Sequence, residues 1–113
     1  MTKRAVLVVE TDPVEGREDE WSTFYDNVHI PEILERVPGF QAATRFRRPD
    51  AGPGASKDHG YLTIYEIEAD DPTAAFEALI AAVQGGRTTR SPASSGGAKM
   101  TLWTQEKPRV TRA

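Results

Sequence analysis

The chain has no cysteine, which excludes disulfides and thiolate metal sites and fits a reducing cytoplasm. Its histidines are two, His29 and His59, too little material for a transition-metal site built from protein ligands alone. No apolar run approaches the roughly 20 residues of a membrane-spanning helix. Excess charge is missing too: 14 Lys+Arg against 17 Asp+Glu leave a formal net charge of −3, no footing for nucleic acid. The N-terminus has no small-residue cleavage pattern and turns acidic after Ala5–Val9, so it reads as a mature strand, not a signal peptide. What remains, in 113 residues, is one domain with a modest core.

What is present is organised around Glu18–Phe40, EDEWSTFYDNVHIPEILERVPGF. Trp21, Phe24, Tyr25 and Val28 fall on one face of a helical period. Glu18, Asp19 and Glu20 occupy the first turn, where negative charge meets the positive end of the helix dipole. Pro31 disfavours helical torsions at Ile30, so the helix is expected to end near His29. Pro31 then opens a second short helix, PEILER. His29 is thereby expected at a helix C-terminus, at a bend.

The rest alternates strands and one more helix. AVLVV at Ala5–Val9 predicts a buried strand. In FQAATRFRR, Phe40, Ala42, Thr44 and Phe46 are expected on one face. Pro49–Gly60 reads as a surface loop. In YLTIYEIE, Leu62 and Ile64 oppose Tyr61, Thr63, Tyr65 and Ile67. Asp71 caps and Pro72 starts a helix carrying Phe76, Leu79, Ile80 and Val83, with Gly85 as its stop. Gly86–Lys99 is so poor in apolar residues that it is expected to be mobile, a lid in which Arg87 and Arg90 find partners on closing. Met100–Glu106 is the last strand. This α+β order, β-α-β-β-α-β, is the ferredoxin-like arrangement, an antiparallel four-stranded sheet with both helices on one face. The other face would be wet and apolar, so a homodimer packed sheet to sheet is expected, with Val8 and Ile64 buried.

FYDNVHIPE at Phe24–Glu32, then VPGF at Val37–Phe40 and the pair Arg45-Phe46, resembles the dimeric α/β-barrel superfamily, closest to its small EthD-like members. The resemblance implies a fold shared by cofactor-free monooxygenases, muconolactone isomerases, polyketide cyclases, dehalogenases and heme-binding proteins. Fold does not choose among them.

The residues narrow the chemistry further. His29 suits a general acid or base near neutral pH, with Asp26 one turn back to orient it; its other reading is a structural helix cap. Tyr25 is either a hydrogen-bond donor to a substrate oxygen or a core tyrosine. Trp21, Phe24, Phe76 and Trp103 line an aromatic pocket or simply fill the core. Tyr61 and Tyr65 line the cavity if their strand face meets the helices, and the dimer contact if not. Arg45 binds a substrate oxygen or pairs with a carboxylate such as Glu66. His59 reads as solvated. Gly52-Pro53-Gly54 lacks the helix a phosphate loop needs, and no nucleophile elbow is present. The expected protein is a cytoplasmic enzyme without metal or organic cofactor, an isomerase, cyclase or lyase for a small apolar oxygenated substrate. The alternatives are a cofactor-free monooxygenase and a non-catalytic ligand-binding dimer.

Overall fold

The computed structural model describes residues 1–49, 60–86, 88, 89, 91, 93, 94 and 97–113. The glycine-proline segment, His59, Arg87 and Arg90 lie outside the described residues. Four strands, β1 (Lys3–Thr11), β2 (Phe40–Arg47), β3 (Tyr61–Ala69) and β4 (Lys99–Thr104), form one antiparallel sheet in the order β2-β3-β1-β4. This is the ferredoxin-like topology expected from the element order.

Register decides what faces what. Leu7 lies opposite both Tyr65 and Leu102, and Ala5 opposite Ile67. These residues face the helices and, with Ile33, Val37, Phe40 and Leu79, make the main core. The alternate set, Val6, Val8, Leu62 and Ile64, points away from the helices. Val8 and Ile64 sit directly opposite each other and are only half-buried within one chain. On the same open face Trp103 is 60% and Phe46 48% exposed.

The face of β2 was misassigned by simple alternation. A β-bulge between Phe40 and Ala42 shifts the register. Phe40 therefore faces the core, while Ala42, Thr44 and Phe46 turn away and Ala43 and Arg45 turn in. An extra residue in one strand reverses every side chain beyond it. Gly39, at φ +93°, starts the strand; a Cβ there would meet Ala69 at 3.3 Å.

The helix does not end at His29. Residues Glu18–Phe24 (α1), a π-helical turn Tyr25–His29 and Ile30–Arg36 (α2) run on without a break, and Phe24, Tyr25, His29 and Ile30 all keep right-handed helical torsions. Pro31 has no N–H, and in an α-helix its ring would meet the carbonyl four residues back. The turn before it widens instead: Ile30 N–H reaches the Tyr25 carbonyl, five residues back.

Helix α3 (Pro72–Gln84) starts as expected, with the Asp71 carboxylate accepting from Ala74 N–H at 3.2 Å. Its buried stripe is Pro72, Ala75, Leu79 and Ala82. Phe76 and Val83 pack partly buried beside it. The left-handed glycine after this helix is Gly86, at φ +74°; Gly85 keeps a negative φ. Among the described residues, no helix is long and apolar enough to cross a membrane.

Candidate active site

The wide turn sets the site. Trp21 and Tyr25 are buried on the inner side of the helix, with ring centroids 4.6 Å apart. The Tyr25 ring is 4.8 Å from the His29 imidazole, and Phe24 stacks on His29 at 5.8 Å and 26°. Together with Val9, Val83 and Met100 these aromatics wall a cavity of about 390 Å³ between the helix, β1 and the chain before β4. That size lies within the range of small-molecule sites.

The far wall comes from the segment expected to be mobile. Its described residues are anchored at several points. Ala93 is fully buried against Trp21 and Tyr25. Its carbonyl accepts from Val14 N–H at 2.6 Å, and Ser94 bridges to Pro13. Thr89 N–H donates to both carboxylate oxygens of Glu32, each at 3.2 Å, and Arg36 reaches the same carboxylate at 3.1 Å. These residues form a cover over the cavity.

Three residues of the wall carry buried polar atoms with no hydrogen-bond partner among the described residues: Thr11 Oγ1, His29 Nδ1 and Thr88 Oγ1. Burial lowers the His29 pKa, opposed by the Glu32 charge and the Thr89 backbone. The ring is thus neutral at neutral pH, a base rather than a cation. Burial raises the Tyr25 pKa, opposed by nearby Thr11 and by Arg45, and keeps the phenol protonated as a donor.

Asp26 does not orient His29. It points outward and pairs with Arg45 at 2.9 Å. Arg45 lies across from Thr63, not beside Glu66, which pairs with Ala42. Its side chain, 19% exposed, also donates to the Ser22 hydroxyl at 3.2 Å and lies over the Trp21 and Tyr25 rings at 5.2 and 5.3 Å. Arg45 therefore clamps the helix to the sheet from behind the aromatic wall, and does not line the cavity.

Of the other sequence candidates, Trp21, Phe24, Tyr25 and His29 come together on the cavity. Tyr61 and Tyr65 do face the helices. Tyr61 packs edge-on behind Trp21 at 4.9 Å, and Tyr65 is core, 5.6 Å from Phe40. Its phenol is unpartnered among the described residues, and burial drives its pKa up. Phe76 packs in the core, and Trp103 stands on the opposite face of the sheet. The sequence reading missed Thr11, Thr88, Thr89 and Ser91. The signal was the density of Ser and Thr before β4, taken there as a mark of mobility. Among the described residues, no cluster of His, Cys, Asp or Glu has the makings of a metal site.

No protein-family model and no curated protein sequence matches the chain. Solved structures do, at low identity. The heme-degrader MhuD from Mycobacterium tuberculosis, with two hemes bound in its active site, is 19% identical, with 94% of this chain and 99% of that one covered at a TM-score of 0.61. The NE2512 protein of unknown function from Nitrosomonas europaea is 13% identical, covering 100% and 98%, at 0.55. A monooxygenase from the gene ActVA-Orf6 of Streptomyces coelicolor, in complex with nanaomycin D, is 16% identical, covering 98% and 94%, at 0.50. What the chain shares with them is the ferredoxin-like fold.

Proposed function

We propose that this protein is an enzyme of small-molecule metabolism whose first chemical step is removal of a proton from an apolar, oxygenated substrate by His29. The observation that carries the reading is a neutral imidazole on the wall of an aromatic cavity, with Tyr25 beside it. A general base must be unprotonated at the working pH, and it works best when its pKa lies near that pH. Tyr25, kept protonated, donates toward the oxygen on which charge develops. Return of the proton at another position isomerises or cyclises the substrate; loss of a leaving group makes it an elimination. The step calls on no metal or organic cofactor.

A second reading branches from the same carbanion. With dioxygen as co-substrate, the carbanion adds oxygen, and loss of water from the hydroperoxide leaves a carbonyl. The likeness to a monooxygenase that holds nanaomycin D favours this branch for consideration. Deuterium wash-in from D2O into the acidic C–H of neutral phenols, enols and quinols, followed by NMR, tests the shared step. An oxygen electrode separates the branches. Wash-in that His29→Gln retains in full would refute the base.

The open sheet face supports self-association. Val6, Val8, Leu62, Ile64, Phe46 and Trp103 form an apolar surface that a second copy would cover, and a homodimer in a reducing cytoplasm is the assembly we propose. Sedimentation showing only monomer at micromolar concentration would remove it.

A further inference from the structure

The cavity has two unlike walls. One is aromatic and aliphatic, from Trp21, Phe24 and Tyr25 to Met100. The other is hydroxyl-bearing: Thr11 at the end of β1, and Thr88, Thr89, Ser91 and Ser94 on the cover. Two of these are more than nine-tenths buried: Thr88, at 5% exposure, has no hydroxyl partner among the described residues, and Thr11, at 7%, has only the Tyr25 phenol beside its hydroxyl. They come from elements far apart in sequence, yet border one space. Among the described lining residues there is no lysine or arginine, and the one carboxylate is Asp12, whose Oδ1 accepts from Gly60 N–H at 2.8 Å.

Native proteins leave few buried hydroxyls unpaired, because each loses its hydration without return. A threonine hydroxyl donates and accepts, so it serves a phenol, a quinone carbonyl or an enol alike. A carboxylate-bearing ligand would find no cationic partner among the described lining residues and would face Asp12. We infer that the hydroxyl wall reads the oxygenated edge of an uncharged, multiply oxygenated aromatic ligand, with Thr11 and Thr88 as the specificity-determining residues. The ring plane lies on the aromatic wall, and at least two ring oxygens meet the hydroxyls. The inference rests on the cavity being the ligand site proposed above, and not on His29 acting as a base.

Equilibrium dialysis under argon with three probes tests it: 1,5-dihydroxynaphthalene, naphthalene and naphthalene-1,5-dicarboxylate. The diol should bind at least about tenfold more tightly than naphthalene, and the dicarboxylate should bind least. The pair Thr11→Val and Thr88→Val should bring the diol down to within about twofold of naphthalene and leave naphthalene unchanged. Thr88→Ser, which keeps the hydroxyl with a smaller side chain, should retain the preference. Equal binding of diol and naphthalene, tightest binding of the dicarboxylate, or a diol preference that survives both valines would each overturn the inference. Diol binding by the threonines alongside a His29→Gln protein of full activity would instead sink the catalytic reading alone.

Discussion

Replacing Glu32 by alanine should free the cover while leaving the fold in place. In the native protein both Glu32 oxygens accept from Thr89 N–H at 3.2 Å. A hydrogen bond to a charged group contributes about 1.5–3 kcal/mol, and the rest of the Glu32 environment contributes little, because the Arg36 pair is half-exposed. Loss of the acceptor should therefore raise the opening equilibrium at Thr89 by about 10- to 150-fold. Amide hydrogen exchange of Thr89 reads that factor directly. Glu32→Gln keeps an acceptor but not its charge, so it should fall between wild type and Glu32→Ala. Amides in β1 and β3 should not change in either variant. The Glu32 charge also raises the His29 pKa, so either substitution should move the acid limb of any activity to lower pH. Unchanged exchange at Thr89 in both variants would refute the view that this carboxylate holds the cover.

His29→Gln should lower turnover by about two to four orders of magnitude with melting and oligomeric state preserved, because the helix runs through this position and does not end there. Stability should also depend on His29. Its folded pKa is lowered, so its contribution is complete above the unfolded value of about 6.5 and is lost as pH falls from there through the folded pKa; urea melts at pH 7.5 and 5.5 compare the two. Val8→Asp, on the open sheet face, should give a folded monomer by sedimentation with normal circular dichroism. Trp21→Ala should destabilise by about 3–5 kcal/mol in denaturant melts, since this buried ring joins Tyr25, Tyr61 and Ala93.

Much of this fold was legible because local preference and tertiary structure agree. AVLVV and YLTIYEIE are strands at any level of reading, and Asp71-Pro72 starts a helix in peptide and protein alike. The failures share a cause: long-range packing overrode a sound local rule. Pro31 should stop a helix, but Ile33 is buried in the main core and Trp21 under the cover, and a widened turn keeps both. The β2 alternation failed at one bulged residue. Asp26 and His29 are neighbours on the helix, yet a guanidinium from β2 claims the carboxylate. Nothing in the alternation of Phe40–Arg47 says which helix groups lie above it. The anchors that Glu32, Val14 and Trp21 supply to described residues of the cover could not be read from its hydroxyl and glycine content, because they come from elsewhere in the chain.

The wide turn before Pro31 also acts as a phase corrector. Trp21, Tyr25, His29 and Ile33 stand at intervals of four along the helix. In an ideal α-helix that series drifts by about 40° per step, about 120° from first to last, and would spiral off any single surface. A turn closed five residues back holds about one residue more and returns roughly 100° of that drift. Cavity residues at one end and core residues at the other thus keep a common bearing. Chain length between Tyr25 and His29 is then a tuning parameter. Deleting a single residue there would restore a regular helix, yet rotate Ile33 and Glu32 together by about a quarter turn against the sheet. Core and cover would lose alignment with the cavity at once, from a change that makes the helix itself more regular.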